Sequence, residues 1–101
     1  MGLDAKVELR ETHDASGRRI GEAEYVNGKL HGRSRLWASS GVLVQEAHFL
    51  NGEYDGPFQT WWDNGKPKEV GAFASGKRVG TYRWFHDSGE LWQEHNYDAV
   101  K

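Results

Sequence analysis

Two short stretches of the chain have residue types that could do chemistry. Gly76-Lys77-Arg78-Val79-Gly80 has the glycines and cations of a phosphate-cradling loop. Trp84-Phe85-His86-Asp87 sets an imidazole beside a carboxylate that could orient it for acid–base work. Neither meets its context requirement. A phosphate loop needs two glycines bracketing four residues, then Lys and Ser or Thr opening a helix, whereas Gly76 and Gly80 bracket three and Thr81 follows directly. Asp87 shares a turn position with Asp63, and no activated nucleophile stands at a fixed offset from His86. His13, His31, His48, His86 and His95 lack a His-x3-His pair, which removes a zinc reading. Glu22 with Glu24, and Glu53 with Asp55, read as strand faces or turns rather than a glycosidase pair. No catalytic residue, metal or cofactor is expected.

What positions those residues is a repeat. Gly17, Gly41, Gly65 and Gly89 stand 24 residues apart, as do Gly28, Gly52 and Gly76, and Gly32, Gly56 and Gly80. Aromatic residues keep the same step: Tyr25, Phe49, Phe73 and Tyr97 in one column, Trp37, Trp61 and Phe85 in another. A fixed period without insertions is the signature of a repeat architecture. The glycines mark turns, through Asn27-Gly28, Asn51-Gly52 and Ser75-Gly76 on one side and Asp63-Asn64-Gly65 and Asp87-Ser88-Gly89 on the other. Between successive turns there is room for one strand of about 5–7 residues. The spacing therefore predicts an all-β antiparallel meander of about eight strands in one elongated, twisted sheet. Residues 1–101 read as one domain, with units at about 17–40, 41–64 and 65–88 and partial units at 1–16 and 89–101. The Asn-Gly signature is missing after Asp98, where Ala99-Val100-Lys101 stands, and either a true end of the array or a trimmed chain is expected there.

Composition narrows the setting. The 101 residues carry a formal net charge of -2, which argues against a nucleic-acid partner that binds by neutralising phosphates. With no cysteine there is no disulfide, thiolate nucleophile or Cys-ligated metal, and a reducing, cytoplasmic setting fits. Met1 to Lys6 has no apolar h-region and no run is long enough to span a bilayer, so a membrane role is not expected. Charge is banded: Leu36 to Gly65 has no Lys or Arg but holds Glu46, Glu53, Asp55 and Asp63, while the flanking segments are basic.

Alternation assigns faces to the strands. Leu43, Ala47 and Phe49 share one face with Gly71, Phe73, Leu91 and Tyr97, and Glu22, Glu24, Glu46 and Glu94 fall on the opposite, solvated face. The first strand of each unit is apolar on both sides, with Trp37, Trp61 and Phe85 opposite Phe58, Trp62, Tyr82 and Trp84. The columns of Tyr25, Trp37, Phe49, Trp61, Phe73, Phe85 and Tyr97 are expected to form the core. The surplus rings of Tyr54, Phe58, Trp62, Trp84 and Trp92 then form a contact surface with Glu46, Glu53, Asp55 and Asp63. Rings flanked by acid suit a partner with a basic, hydrophobic patch.

The units "FLNGEYDGPFQTWWDNGKPKEVGAF" and "FASGKRVGTYRWFHDSGELWQEHNY" resemble MORN repeats, specifically the bacterial MORN-repeat variant, over residues 17–97. The resemblance implies a solenoid of stacked β-hairpins with no catalytic residues. It also implies a protein-binding role, most concretely an antitoxin or immunity-type inhibitor that covers a toxin or effector. A self-associating scaffold, and thus a homo-oligomer, is the alternative; a carbohydrate or lipid-surface binder is the third. Eukaryotic-type units carry a Gly-x-Gly pair after the second turn. Gly32-Arg33-Ser34, Gly56-Pro57-Phe58 and Gly80-Thr81-Tyr82 keep only its first glycine, so phosphoinositide binding transfers poorly.

Overall fold

The computed structural model describes residues 6–98. They form a single sheet in which each lane hydrogen bonds the next along the chain, in antiparallel sense throughout, with no helix among the described residues. The strands are β1 (Val7–His13), β2 (Arg19–Val26), β3 (Lys29–Trp37), β4 (Leu43–Leu50), β5 (Glu53–Tyr54), β6 (Gly56–Trp61), β7 (Pro67–Ala74), β8 (Lys77–Phe85) and β9 (Leu91–Asn96). Nine strands occupy eight lanes. β5 and β6 fill the lane that β3 and β8 each fill alone, because the chain breaks at Asp55, whose amide donates to His48 O (2.8 Å). The sheet stays open, with extents of 49 × 43 × 14 Å, one layer thick. The array end or trimmed chain expected at residues 99–101 lies outside the described residues.

Two turn types alternate, each set by its own residues. Asn27-Gly28, Asn51-Gly52 and Ser75-Gly76 all have two consecutive positive φ angles, 51/84, 50/89 and 50/83, the type I′ geometry that matches strand twist. The other turns close differently. The amides of Asp14, Ala38, Trp62 and His86 donate to the carbonyls four residues on, at 2.8–2.9 Å. The glycine that ends each such turn sits at φ 86–97. Such a three-residue loop forces a bulge beside it. Accordingly the register shifts at Thr12/His13, Leu36/Trp37, Thr60/Trp61 and Trp84/Phe85. Gly32 and Gly80 lie inside strands and Gly56 opens one, so their positive φ serves strand irregularities rather than the loops.

Residues opposite one another share a face. One face is ionic: Glu11, Glu22, Arg35, Glu46, Gln59, Val70, Arg83 and Glu94 lie in register across all eight lanes. Arg35 bridges Glu46 (2.8 Å) and Glu22 (3.5 Å), and Arg83 binds Glu94 (3.0 Å). Of the glutamates expected to be merely solvated, Glu22, Glu46 and Glu94 are thus ion-paired, and Glu24 accepts the Arg33 backbone amide (2.8 Å) beside Gly32. Surface pairs such as Arg83–Glu94 contribute only about 0–1 kcal/mol each, and the half-buried Arg35 pairs offset part of their attraction by desolvation, so this face is not what holds the sheet. The bulge also corrects one face assignment. Leu43 pairs with Trp37 and Leu91 with Phe85, so neither joins the Ala47–Phe49 side.

The other face is aromatic and holds the core. The most buried side chains are Ala47, Phe58, Tyr82 and Thr60, with Phe49, Tyr54, Phe73 and Trp84 packed around them. Rings form a connected series: Phe49–Tyr54 (4.6 Å) and Tyr54–Phe73 (4.9 Å) are stacked, Phe58–Phe73 (5.3 Å) and Phe73–Tyr82 (6.1 Å) meet edge to face, and Tyr82–Trp84 (4.8 Å) are tilted. Each pair adds about 0.5–1.5 kcal/mol beyond its buried area. Of the columns expected as core, Phe49 and Phe73 join this cluster. Tyr25 lies under Arg10 and Trp37 under Arg19, at 4.1 and 4.7 Å, and Tyr97 is 39% exposed.

A one-layer sheet has no opposing layer to receive rings, so they must lie on their own strands. That requires small residues beneath them, and the repeat supplies Ala23, Ala47 and Gly71 at 24-residue steps. Gly71 faces Phe58, and a methyl on it would come within 2.1 Å of Cδ2 of the fully buried Tyr82 ring. Gly71→Ala therefore should destabilise the protein by about 1–3 kcal/mol through overpacking, read as a lower urea midpoint. An unchanged midpoint would show that Tyr82 is not pressed onto this strand.

Candidate functional site

The bulges that close the three-residue turns also build a site. Each leaves one extra residue in the second strand of its hairpin: Ile20, Val44, Lys68 and Trp92, again 24 apart. A bulge re-aims its extra side chain. Val44, Lys68 and Trp92 line two adjoining clefts on the aromatic face at the turn end of the sheet. Ala38 and Trp62, which follow β3 and β6, line them as well, together with Leu36, Thr60 and Trp84 from the strands. The larger cleft has a volume of ≈ 810 Å³ and the smaller, between Trp62, Trp84 and Trp92, ≈ 240 Å³.

The groove's middle wall is fixed. Trp62 Nε1 donates to Phe85 O (3.2 Å), Asn64 Nδ2 to Asp87 O (2.8 Å) and Lys66 Nζ to Ser88 O (3.1 Å). These bonds tie one hairpin turn to the next. Lys68 Nζ lies 4.6 Å over the Trp62 ring, a cation–π contact at the cleft wall. Asp63 and Asp87 form the rim, and Glu69 lies deeper. The Glu69 carboxylate accepts from Thr60 Oγ1 (3.3 Å) and from the Tyr82 hydroxyl (3.2 Å), which joins the groove floor to the core. Trp92 is 62% exposed and Leu36 41%, so the apolar lining is open to solvent. Rings and aliphatic groups with an acidic rim can receive an apolar side chain that has a cation beside it.

The residues expected to form a contact surface separate into four groups. Trp62, Trp84, Trp92 and Asp63 come together at the groove. Tyr54 and Phe58 belong to the core cluster. Glu46 lies on the ionic face bound to Arg35, whose guanidinium this hydrogen bond raises above its ordinary value. Glu53 and Asp55 stand at the opposite turn end, where Asp55 accepts the Ser75 amide (3.0 Å) and Glu53 lies beside Gly76. The sequence reading missed Leu36, Ala38, Val44, Lys68, Glu69 and Asp87. For Val44 and Lys68 the signal was present: a three-residue turn ending in glycine demands a bulge, and the bulged residue is the one that turns toward the groove. His86 carries no dyad geometry with Asp87; its ring lies against Trp92 at 5.9 Å.

Three consecutive segments match the family model described as MORN repeat variant: residues 30–51, 54–73 and 78–99, together more than half of the chain. No curated protein and no solved structure matches. The first hairpin, β1–β2, lies outside the matched segments yet closes with the same turn, the Asp14 amide donating to Arg18 O (2.9 Å).

Burial pushes the Tyr82 phenol from 10.0 up to about 12, with Glu69 adding to the rise and Arg78 opposing it. The folded state thus holds this proton more tightly than the unfolded chain. The stabilisation is complete below about pH 10 and is lost as pH rises through the folded value. Ultraviolet titration should show one of the four tyrosines ionising late, and Tyr82→Phe should abolish that phase. Absence of a late phase near 12 that Tyr82→Phe removes would contradict the buried Tyr82–Glu69 contact.

Proposed function

The chain belongs to the MORN repeat variant family, and on that premise we propose that it is a non-catalytic protein-binding module working through the aromatic groove. The family's repeats serve binding and scaffolding generally. The observation that carries the reading to this groove is the exposed Trp92 ring beside half-buried Trp62 and an acidic rim, two rings that the packed cluster around Phe58 and Tyr82 does not include. Large rings in a preformed cleft make low-entropy anchors, and rim carboxylates steer a cationic partner. The partner is a protein with a basic, hydrophobic patch. In its most specific form the reading makes this chain an antitoxin or immunity-type inhibitor whose groove covers a toxin or effector.

Trp92→Ala is the cleanest test, since that side chain is mostly exposed and its loss leaves the core in place. A photo-crosslinker at Ala38 identifies the partner in the source cell, and affinity is then measured with purified components. Trp92→Ala together with Trp62→Ala should weaken binding by about tenfold or more with an unchanged strand circular dichroism spectrum. Equal affinity would overturn the groove reading. Crosslinking to lipid or glycan alone would overturn the protein-binding reading. For the inhibitor form, co-expression should relieve growth arrest caused by the partner, and no relief counts against it.

A further inference from the structure

The groove does not involve β1, and β1 has its own unexplained pattern. All seven of its residues are exposed, and it ends the sheet, with no neighbour on its outer side among the described residues. Val7 and Leu9 are 64% and 58% exposed on the ionic face. Glu8 and Arg10 share the aromatic face, where the Arg10 guanidinium lies 4.1 Å over the Tyr25 ring and 3.3 Å from Glu8. Both charges are therefore already oriented. Asn27 N donates to Lys6 O (3.1 Å), which sets the phase of the β1–β2 ladder. By antiparallel alternation the even-numbered residues of β1 hydrogen bond β2, and Val7, Leu9 and Glu11 direct N–H and C=O outward.

We propose that a second copy of this chain pairs with that edge, β1 against β1 in antiparallel sense about a two-fold axis at Leu9. In that register Leu9 opposes its counterpart as a hydrogen-bonded pair, and Val7 opposes Glu11. Glu8 opposes the second copy's Arg10, and Arg10 its Glu8, as closely spaced non-hydrogen-bonded pairs. The two intrastrand ion pairs become a ring of four alternating charges. A register centred on Glu11 would instead oppose two glutamates.

The repeat also argues against an open chain of copies. Internal seams face Glu22 with Arg35 and Val70 with Arg83. Continuing the 24-residue frame from β9 onto a second copy's β1 would face Glu94 with Glu11. Glu11 and Glu22 within the chain share Arg19 (3.4 and 3.3 Å), but the frame brings no such cation to Glu94 and Glu11. Like charges directly opposite are unfavourable, so the self-complementary edge closes a dimer rather than extending a filament. Neither groove is covered, so the dimer would present two of them.

An interface of two short edge strands is well below the ~1,000 Å² of a tight complex, so sedimentation is followed from about 1 µM to about 1 mM. The weight-average mass should rise from 11.5 kDa toward twice that value. Leu9→Pro removes the central outward N–H without touching the β2 ladder, and Glu8→Arg opposes two arginines across the axis. Each should weaken association by about tenfold or more, and Glu8→Arg combined with Arg10→Glu should restore it. Strand circular dichroism confirms that each variant is folded. A monomer at all concentrations overturns the proposal. So does a dimer insensitive to Leu9→Pro and Glu8→Arg, or a double variant that stays as weak as the single one. Because β1 lies outside the groove, failure here leaves the binding reading standing, and a dimer with a Trp92-independent partner contact separates the two in the other direction.

Discussion

A sheet with no second layer must bury its large side chains against its own backbone, and everything else in this protein follows from that constraint. Tyr82 lies flat over Gly71, and Phe58 opposes the same residue, in a lane flanked by Ala47. Fully burying such a ring is worth about 1.5–3 kcal/mol, several times an exposed ion pair. The aromatic face therefore dominates stability, while the Glu–Arg row on the other face fixes register and keeps that side wet. Small residues at one 24-residue column and rings at the next are two halves of one packing rule.

The binding groove is a by-product of how the hairpins turn. A three-residue loop with glycine at positive φ leaves a bulge, and the bulge tips one residue per unit toward the aromatic face. Position, not identity, is repeated there: Ile20, Val44, Lys68 and Trp92 occupy the same place with different chemistry. A regular frame thus presents a variable strip. Hydrogen bonds from Trp62, Asn64 and Lys66 to the next turn hold the strip's shape before any ligand arrives. Such preorganisation lowers the entropic cost of binding.

The fold was legible because glycine and Asn-Gly signals repeat without insertion, and turn chemistry is local. The same signals gave the meander, its antiparallel sense and its single sheet. The site was legible only in part. Simple alternation placed Trp62 and Trp84 with Phe58 and Tyr82, but it runs through the bulges as though they were absent, which misplaced Leu43 and Leu91. It could not show that Tyr82 lies over Gly71 while Trp92 stands in solvent, because which ring is covered depends on neighbours in adjacent lanes. The acidic band in the sequence dispersed for the same reason. Glu46, Asp55 and Asp63 are near in sequence but reach the ionic face, one turn end and the other.

The central claim is that one ring-over-small-residue cluster holds a single open layer together. Native-state amide hydrogen exchange in dilute solution tests it most directly, since protection reports local opening free energy lane by lane. The account predicts the slowest exchange in the strands around Ala47, Phe58, Gly71 and Tyr82, falling steadily toward β1 and β9. Protection that is uniform across all lanes, or greatest at the edge strands, would contradict it, because the stabilising contacts would then lie somewhere other than the aromatic cluster.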